Sequence, residues 1–165
     1  MAEPVPPVAR IVDALRRHTG DECFACGRAN PIGLHLDDFD IRGDDVVATF
    51  NARDDLQGTI GNLHGGIAAT ALDEILVWAG ILQEQVLSVT GKLELRYRRP
   101  VGVSGMVDLR ARVEERRGNR LVISGSLDAG DGARSVTAKG LYLVSHTIAE
   151  IMEATGLQEG AEASR

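Results

Sequence analysis

Two features of one apolar segment could do chemistry: a helix start rich in glycine, which can bind a ligand oxygen, and a carboxylate inside the helix. The segment covers residues 62–83, NLHGGIAATALDEILVWAGILQ, with a His-Gly-Gly motif at residues 64–66 and a carboxylate at Asp73. The first turn of a helix has free N–H groups and the positive end of the helix dipole, and glycine there lets a ligand oxygen approach the backbone. A carboxylate inside an apolar helix is costly unless it has a partner or a role. The segment therefore predicts an oxyanion-binding turn followed by an acid-base group.

Asp73 is predicted to be the catalytic carboxylate of this segment. Its spacing places it on the helix face that also carries Gly66, Thr70 and Val77. Two roles stay open, a general base acting on water and a nucleophile that forms an anhydride, and we favour the base. A buried, satisfied structural aspartate is the other interpretation. Glu74 lies about 100° further round the helix, so we expect it to be a structural ion-pair partner.

The elements that position these residues follow from hydrophobic periodicity and turn residues. We predict helices over residues 7–17, 66–83 and 147–155, and strands over residues 34–41, 45–52, 86–98, 104–116, 119–128 and 133–145. The helix over residues 66–83 is apolar on nearly all sides, so it must be buried on nearly all sides. Only a sheet can cover that much apolar surface here. The predicted fold class is α+β, with one long buried central helix wrapped by an antiparallel sheet of about five to six strands.

Composition and charge restrict the class of protein. The chain has 165 residues, of which 44% are hydrophobic and 25% are charged, as in a soluble domain with a core of its own. The net charge of −6 argues against a general nucleic-acid partner. We expect no membrane partner, because no apolar run is expected to reach the roughly 18–20 residues that span a bilayer. The N-terminal residues lack the order of a secretory signal, so a cytoplasmic location is expected.

Three stretches carry a resemblance to a known family. They are QGTIGNLHGGIAATALDEILVWA at residues 57–79, TGKLELRYRRPV at residues 90–101 and CFACGRANPIGLHL at residues 23–36. Over roughly residues 21–145 the chain resembles the hotdog-fold acyl-CoA thioesterases of the PaaI-like thioesterase superfamily. The resemblance implies the hotdog fold, hydrolysis of an acyl-CoA to a free acid and CoA without a cofactor, and a homodimer whose two sheets join. Such dimers often pair into tetramers and have their active sites at the subunit interface.

The domain organisation follows from this resemblance. Residues 1–20 form an N-terminal extension with a short helix, residues 21–146 the hotdog thioesterase domain, and residues 147–165 a C-terminal helix with a frayed tail. No second domain and no internal repeat is expected.

The resemblance also assigns roles around the His-Gly-Gly motif. The Gly65 N–H is the main oxyanion donor, and Gly66 contributes to substrate binding. His64 is included in the catalytic set, and two roles stay open for it: fixing the loop through a backbone hydrogen bond, or contacting the thioester. Asn62 and Gln57 are expected to bind substrate, by polarising the carbonyl or positioning the attacking water.

Other site residues are less directly supported. Some related enzymes place an amide side chain in the loop where this chain has Gly58, a departure from their pattern. Thr90 is expected to begin the strand that reaches the partner subunit's site, where its hydroxyl holds the attacking water or the carboxylate. Arg98 and Arg99 close that strand and are predicted to bind the phosphates of CoA, because arginine suits phosphate through its forked donors. A solvated strand end is the alternative for both arginines.

The two cysteines are expected to be reduced thiols in a turn. Cys23 and Cys26 are flanked by His18 and His35, so a His-Cys-Cys-His metal set is conceivable, but the spacing matches no established zinc motif. We therefore expect no metal.

Two further functions compete with thioester hydrolysis. A non-catalytic acyl-CoA-binding module of the same fold is the main alternative, although binding alone does not need a buried acid at Asp73. A hotdog dehydratase or hydratase usually carries a catalytic histidine in a different loop motif, which this chain lacks. The low aromatic content, 4%, mildly favours an aliphatic acyl chain over an aryl group, and Trp78 is expected to be core.

Overall fold

A computed structural model describes residues 6–157. It contains a six-stranded antiparallel sheet with the strand order β1-β2-β4-β5-β6-β3. The strands are β1 (Asp40–Arg42), β2 (Asp45–Ala52), β3 (Val86–Tyr97), β4 (Gly105–Arg117), β5 (Arg120–Asp128) and β6 (Val136–Thr147). The helices are α1 (Val8–Thr19), α2 (Gly65–Glu84) and α3 (Ile148–Ala154), and a single 3₁₀ turn spans Asp54–Leu56. The predicted α+β hotdog architecture is confirmed.

Helix α2 is the centre of the core. It contacts β2, β3, β4, β5 and β6, and ten of its residues are buried. By length and composition alone α2 meets the criteria for a membrane span, which the sequence analysis did not expect. In this fold, 56% of its most apolar window is buried inside the protein, and this burial accounts for its apolar character.

The sheet approaches α2 closely at a glycine of β5. A Cβ at Gly125 would lie 2.8 Å from Leu76 Cδ1 on α2 and 2.7 Å from the Arg110 carbonyl oxygen on β4. Only glycine leaves room for both neighbours at their present positions. Gly125 in the sheet therefore allows α2 and β5 to pack closely.

The predicted strand over residues 34–41 is mostly irregular, and only Asp40–Arg42 pairs as β1. Leu34 and Leu36 are buried and alternate with the exposed His35, which imitates the pattern of a strand. Their N–H groups instead donate to the carbonyls of residues 24 and 25, and His35 has a φ of 56°. The segment is held by the preceding loop, so alternating burial arises here without a ladder.

The two flanking helices join the same core. Ile11, Ala14 and Leu15 of α1, and Ile148, Ile151 and Met152 of α3, pack in one hydrophobic cluster with α2. Helix α3 begins with a capping box, in which Thr147 and Glu150 each accept a hydrogen bond from the other's backbone N–H. The predicted frayed tail lies largely outside the described residues, and so do residues 1–5.

Candidate active site

The Asp73 carboxylate accepts hydrogen bonds from two hydroxyl groups. Thr90 Oγ1 lies 2.9 Å from Asp73 Oδ1 and 3.1 Å from Oδ2, and the Tyr142 hydroxyl lies 2.8 Å from Oδ1. Asp73 is partly buried on α2, and its two partners come from β3 and β6. A carboxylate held by two donors has a fixed orientation and keeps free lone pairs for a further partner such as water.

Thr90 contacts the Asp73 of its own chain, and its place in the partner subunit's site stays a prediction. It also lies within β3, which begins four residues earlier, at Val86. Gln85 is the sole residue between α2 and β3, and its left-handed conformation (φ 55°) turns the chain back along the helix. Asp73 is about 16 Å from Glu84 along the helix axis. Strand β3 runs back in the opposite direction, and Thr90 is about 14 Å along it from Val86, which places Thr90 beside Asp73. The short connection therefore dictates the contact.

Tyr142 was missed as a site residue by the sequence analysis. It is paired with Thr90 in the register of β3 and β6, and its side chain is 0% exposed. Burial, and then the neighbouring Asp73 carboxylate, raise the pKa of the Tyr142 hydroxyl, so it stays protonated and donates. Its only sequence signal was a place in an alternating strand, which predicts a core residue.

His64 caps the first turn of α2. Its Nδ1 accepts a hydrogen bond of 2.9 Å from the Gly66 N–H, so the ring proton of a neutral His64 is on Nε2. This is the loop-fixing role that the sequence left open. The Gly66 N–H is consequently occupied, and the predicted binding role of Gly66 stays a prediction.

Gly65 has the exposed N–H that the oxyanion prediction requires. Within residues 6–157 this N–H donates to no group, whereas the Gly65 carbonyl accepts a hydrogen bond of 2.7 Å from the Tyr97 hydroxyl. Tyr97 was not predicted to contact the motif. The bond fixes the end of β3 against the start of α2, so the exposed donor has a defined position.

The loop before the motif uses its amide side chains locally. Gln57 Oε1 accepts a bond of 3.3 Å from the Gly61 N–H, and Asn62 Nδ2 donates to a carbonyl 3.4 Å away. A Cβ at Gly58 would lie 3.1 Å from His64 Cα, so a longer side chain there requires the motif to shift. Close packing against His64 thus explains why this chain has glycine at position 58, where some related enzymes have an amide side chain. Substrate binding by Gln57 and Asn62 stays a prediction.

The two arginines after β3 differ in their contacts. Arg99 forms an ion pair of 3.1 Å with Asp131 and donates to the Ala133 carbonyl at 2.8 Å. The Ala133 N–H and then the Arg99 guanidinium lower the pKa of Asp131. The Arg98 side chain is exposed and has no hydrogen bond or ion pair within the described part of the chain. Their contact with CoA phosphates stays a prediction, and Arg98 has the freer guanidinium.

Glu74 forms no ion pair within residues 6–157, contrary to the expectation from its sequence position. Its Oε1 accepts a hydrogen bond of 2.8 Å from Trp78 Nε1, and it faces Cys26. Burial raises the pKa of Glu74 to about 7. Trp78 is 4% exposed and stacks on Phe39, which confirms it as core.

The predicted oxyanion donor, Gly65, and the predicted catalytic carboxylate, Asp73, are far apart within one chain. Gly65 and Asp73 are eight residues apart on α2, which corresponds to about 12 Å along the helix axis. A donor to the carbonyl oxygen and a base that acts through the attacking water are separated by at most about 10 Å. The axial spacing of Gly65 and Asp73 in one chain exceeds this separation.

Comparison with known proteins shows which family the central part of the chain resembles. Residues 60–136 match the family model described as Thioesterase superfamily. The fold is shared with a thioesterase from Haemophilus influenzae (TM-score 0.64, 22% identity, covering 73% of this chain and 85% of that one). It is also shared with a variant of a thioesterase from Pseudomonas aeruginosa (TM-score 0.65, 21% identity, covering 87% and 97%). A third structure is a hypothetical thioesterase from Streptococcus pneumoniae with coenzyme A (TM-score 0.60, 18% identity, covering 66% and 86%). The resemblance to the hotdog thioesterases is confirmed in fold by these structures and in sequence over residues 60–136.

Two curated relatives are longer fungal proteins. An uncharacterized mitochondrial protein from Candida albicans is 31% identical over 90 residues, which are 54% of this chain and 40% of that protein. MIOREX complex component 3 from Saccharomyces cerevisiae is 28% identical over 100 residues, which are 60% of this chain and 36% of that protein. The expectation of a cytoplasmic protein is wrong on this comparison, which points to mitochondria.

Proposed function

We propose that this protein hydrolyses acyl-CoA thioesters to a free acid and CoA, because residues 60–136 match the thioesterase superfamily model. The observation that carries the proposal is the partly buried Asp73 carboxylate, oriented by the hydroxyls of Thr90 and Tyr142. A module that only binds acyl-CoA has no use for such a group. A relative of the same fold has been solved with coenzyme A, which supports CoA as the leaving group.

In the proposed reaction, Asp73 removes a proton from a water that attacks the thioester carbonyl carbon. Negative charge develops on the carbonyl oxygen, and the free Gly65 N–H at the start of α2 stabilises it. The tetrahedral intermediate collapses, the C–S bond breaks, and the proton held by Asp73 neutralises the CoA thiolate. The His64 Nε2–H is a further donor beside Gly65.

The site proposed here combines two chains. The distance of about 12 Å along α2 separates Gly65 from Asp73, so the oxyanion donor of one protomer must meet the carboxylate of another. Strand β3 supports such a dimer because it is the terminal strand of the sheet, has 12 residues, and pairs on one side only within residues 6–157. A long free edge is a template for a second copy, and Val89 is 55% exposed on it.

The proposal predicts that Asp73→Asn lowers turnover by at least about 10²-fold, because the amide cannot accept the proton of the attacking water. The measurement is free-thiol release from short-, medium-, long-chain and aryl-CoA substrates. Asp13→Asn is the matched control, because Asp13 is an exposed aspartate of α1, paired only with Arg17. An unchanged rate in the Asp73 variant removes this residue from the mechanism. Absence of hydrolysis across the panel, together with tight CoA-ester binding, favours the non-catalytic module.

A further inference from the structure

Three metal-ligating side chains meet on the side of α2 that the proposed reaction does not use. The sulfur atoms of Cys23 and Cys26 and a carboxylate oxygen of Glu74 all lie within 4.8 Å of one another. The cluster joins the loop after α1 to the central helix, although about fifty residues separate the two in sequence. We propose that these three residues form a binding site for a soft divalent cation, with Zn²⁺ as the best fit. This proposal does not depend on the proposed thioesterase activity.

The turn that carries both thiols is tightly constrained. The Gly27 N–H donates to the Cys23 carbonyl at 2.9 Å, and Ala29 N–H donates to the Asp21 carbonyl at 2.9 Å. A Cβ at Gly27 would lie 2.5 Å from the Asp21 carbonyl oxygen and 2.5 Å from Cys23 N, so only glycine fits there. The backbone therefore holds the two thiols on one side of the turn before any ligand binds.

The carboxylate is oriented by a second residue. Trp78 Nε1 donates to Glu74 Oε1 at 2.8 Å, and Trp78 is itself fixed by stacking on Phe39 at 4.0 Å between ring centroids. Outer hydrogen bonds of this kind orient the carboxylates that bind metals in proteins. Because the indole has a single N–H, the other carboxylate oxygen of Glu74 is left to face the thiols.

The donor set and its spacing suit zinc. Zinc binds cysteine sulfur at about 2.3 Å and carboxylate oxygen at about 2.0–2.2 Å in a tetrahedron, which separates the ligands by roughly 3.5–3.8 Å. Atoms already within 4.8 Å of one another need only small side-chain movements to reach this arrangement. Three protein ligands leave a fourth position for water, and Cys23 is exposed, which provides an entry path.

The histidines that flank the cysteines in sequence are not part of this cluster. His35 Nε2 lies 2.6 Å from the Asn30 carbonyl oxygen, and His18 packs edge-on against His146. Glu74 supplies the third donor instead. A sequence search for zinc ligands misses it because it lies far from the cysteines and immediately after the catalytic candidate Asp73.

The test is a metal titration of reduced, chelator-treated full-length protein, with Co²⁺ as a spectroscopic probe and Zn²⁺ in competition. We expect about one equivalent of metal per chain and a thiolate-to-cobalt charge-transfer band in the near ultraviolet. Cys23→Ser, Cys26→Ser and Glu74→Gln should each weaken binding by at least about 10-fold. Glu22→Gln, which changes an exposed carboxylate beside Cys23, should leave the affinity unchanged.

Three results overturn the proposal. The first is binding of less than about 0.2 equivalents of either metal. The second is a metal affinity that Glu74→Gln leaves unchanged. The third is a reduced protein without metal affinity whose Cys23 and Cys26 form a disulfide in air. Circular dichroism identifies variants that fail to fold. If Cys26→Ser does not fold, Cys23→Ser still tests the proposal. Cys23 is exposed, so we expect its replacement by serine to leave folding intact. Metal affinity is measured without a substrate, so its failure is distinct from a failure of thioester hydrolysis.

Discussion

The Asp73 carboxylate is held by two hydroxyl groups that differ in their access to water. Tyr142 is fully buried beneath it, whereas Thr90 is on the exposed side. Tyr142 therefore fixes the orientation of the carboxylate from the core. Thr90 lies on the side from which water can reach the carboxylate, so in the proposed reaction its hydroxyl would contact both the carboxylate and the attacking water.

Replacing Thr90 by valine keeps the shape of the side chain and removes the hydroxyl. We expect Thr90→Val to lower kcat about 10-fold with little change in KM, because a hydrogen bond to a charged group is lost near the reacting water. Thr90→Ser keeps the hydroxyl and should stay within about 3-fold of the wild type. Steady-state kinetics on the best CoA ester separate the two variants, and equal losses would show that the strand packing of Thr90 matters rather than its hydroxyl.

The oxyanion role of Gly65 is testable without disturbing the helix. Gly65 is the first residue of α2, where proline is well tolerated, and His64 has the extended conformation that precedes proline readily. Gly65→Pro removes the N–H donor, and we expect kcat to fall about 10²–10³-fold. Gly65→Ala retains the N–H, and its Cβ would contact the Tyr97 ring at an ordinary 3.5 Å.

The kinetic comparison of these two variants isolates the N–H. We expect Gly65→Ala to keep at least about a tenth of the wild-type kcat, because its donor is intact. A proline variant as active as the alanine variant would remove the Gly65 N–H from the mechanism.

Local sequence was sufficient to select Asp73 and Gly65 as candidates but insufficient to predict the contacts of Tyr142 and Tyr97. A carboxylate in an apolar helix and glycines at a helix start can be recognised from the residues next to them in sequence. The two tyrosines contact the motif only because β3 pairs with β6 in a particular register and ends beside the start of α2. Register depends on the whole sheet, so no local pattern specifies these contacts.

The elements themselves were predicted better than the contacts between them. The long strands alternate over many residues and α2 is a long apolar segment, and their predicted ends differ from the observed ones by at most three residues. The segment before β1 was assigned wrongly because burial of Leu34 and Leu36 comes from packing under the preceding loop. Alternation over six residues does not distinguish a strand from such a loop.

The close packing of α2 on the sheet gives a stability prediction. In Gly125→Ala the added methyl group would meet Leu76 and the Arg110 carbonyl, so we expect the free energy of unfolding to fall by about 1–3 kcal/mol. Gly102→Ala is the matched control, because its Cβ would have only one neighbour, 3.8 Å away, and its effect should stay within about 0.5 kcal/mol. Urea denaturation measures both, and equal stabilities would mean that α2 and β5 can separate at little cost.

In the whole molecule, one chain contains every proposed catalytic group but does not bring them together. Asp73 with its two hydroxyls is about two turns of helix away from the free N–H of Gly65. The sequence alone implied a dimer only through family resemblance. The geometry of α2 adds an independent physical argument for two chains, because the rigid helix keeps Gly65 and Asp73 of one chain about 12 Å apart along its axis.

This arrangement predicts complementation between two inactive variants. In a dimer of one Asp73→Asn chain and one Gly65→Pro chain, one site combines an intact Asp73 with an intact Gly65, and the other site has both defects. Random pairing of equal amounts makes about half of the dimers mixed, so about a quarter of all sites are intact. Co-expressed variants with distinct tags should therefore recover about a quarter of the wild-type turnover per chain.

Each possible outcome of the complementation experiment has a distinct structural meaning. If both groups act from the same chain, no mixed dimer contains an intact site, and the rate equals the mean of the two variants. Purification through both tags enriches the mixed dimers, in which half of the sites are intact, so the turnover per chain should rise from about a quarter to about a half of the wild-type value. Such a rise excludes a small contamination by wild-type protein, because contamination would be diluted by the same purification.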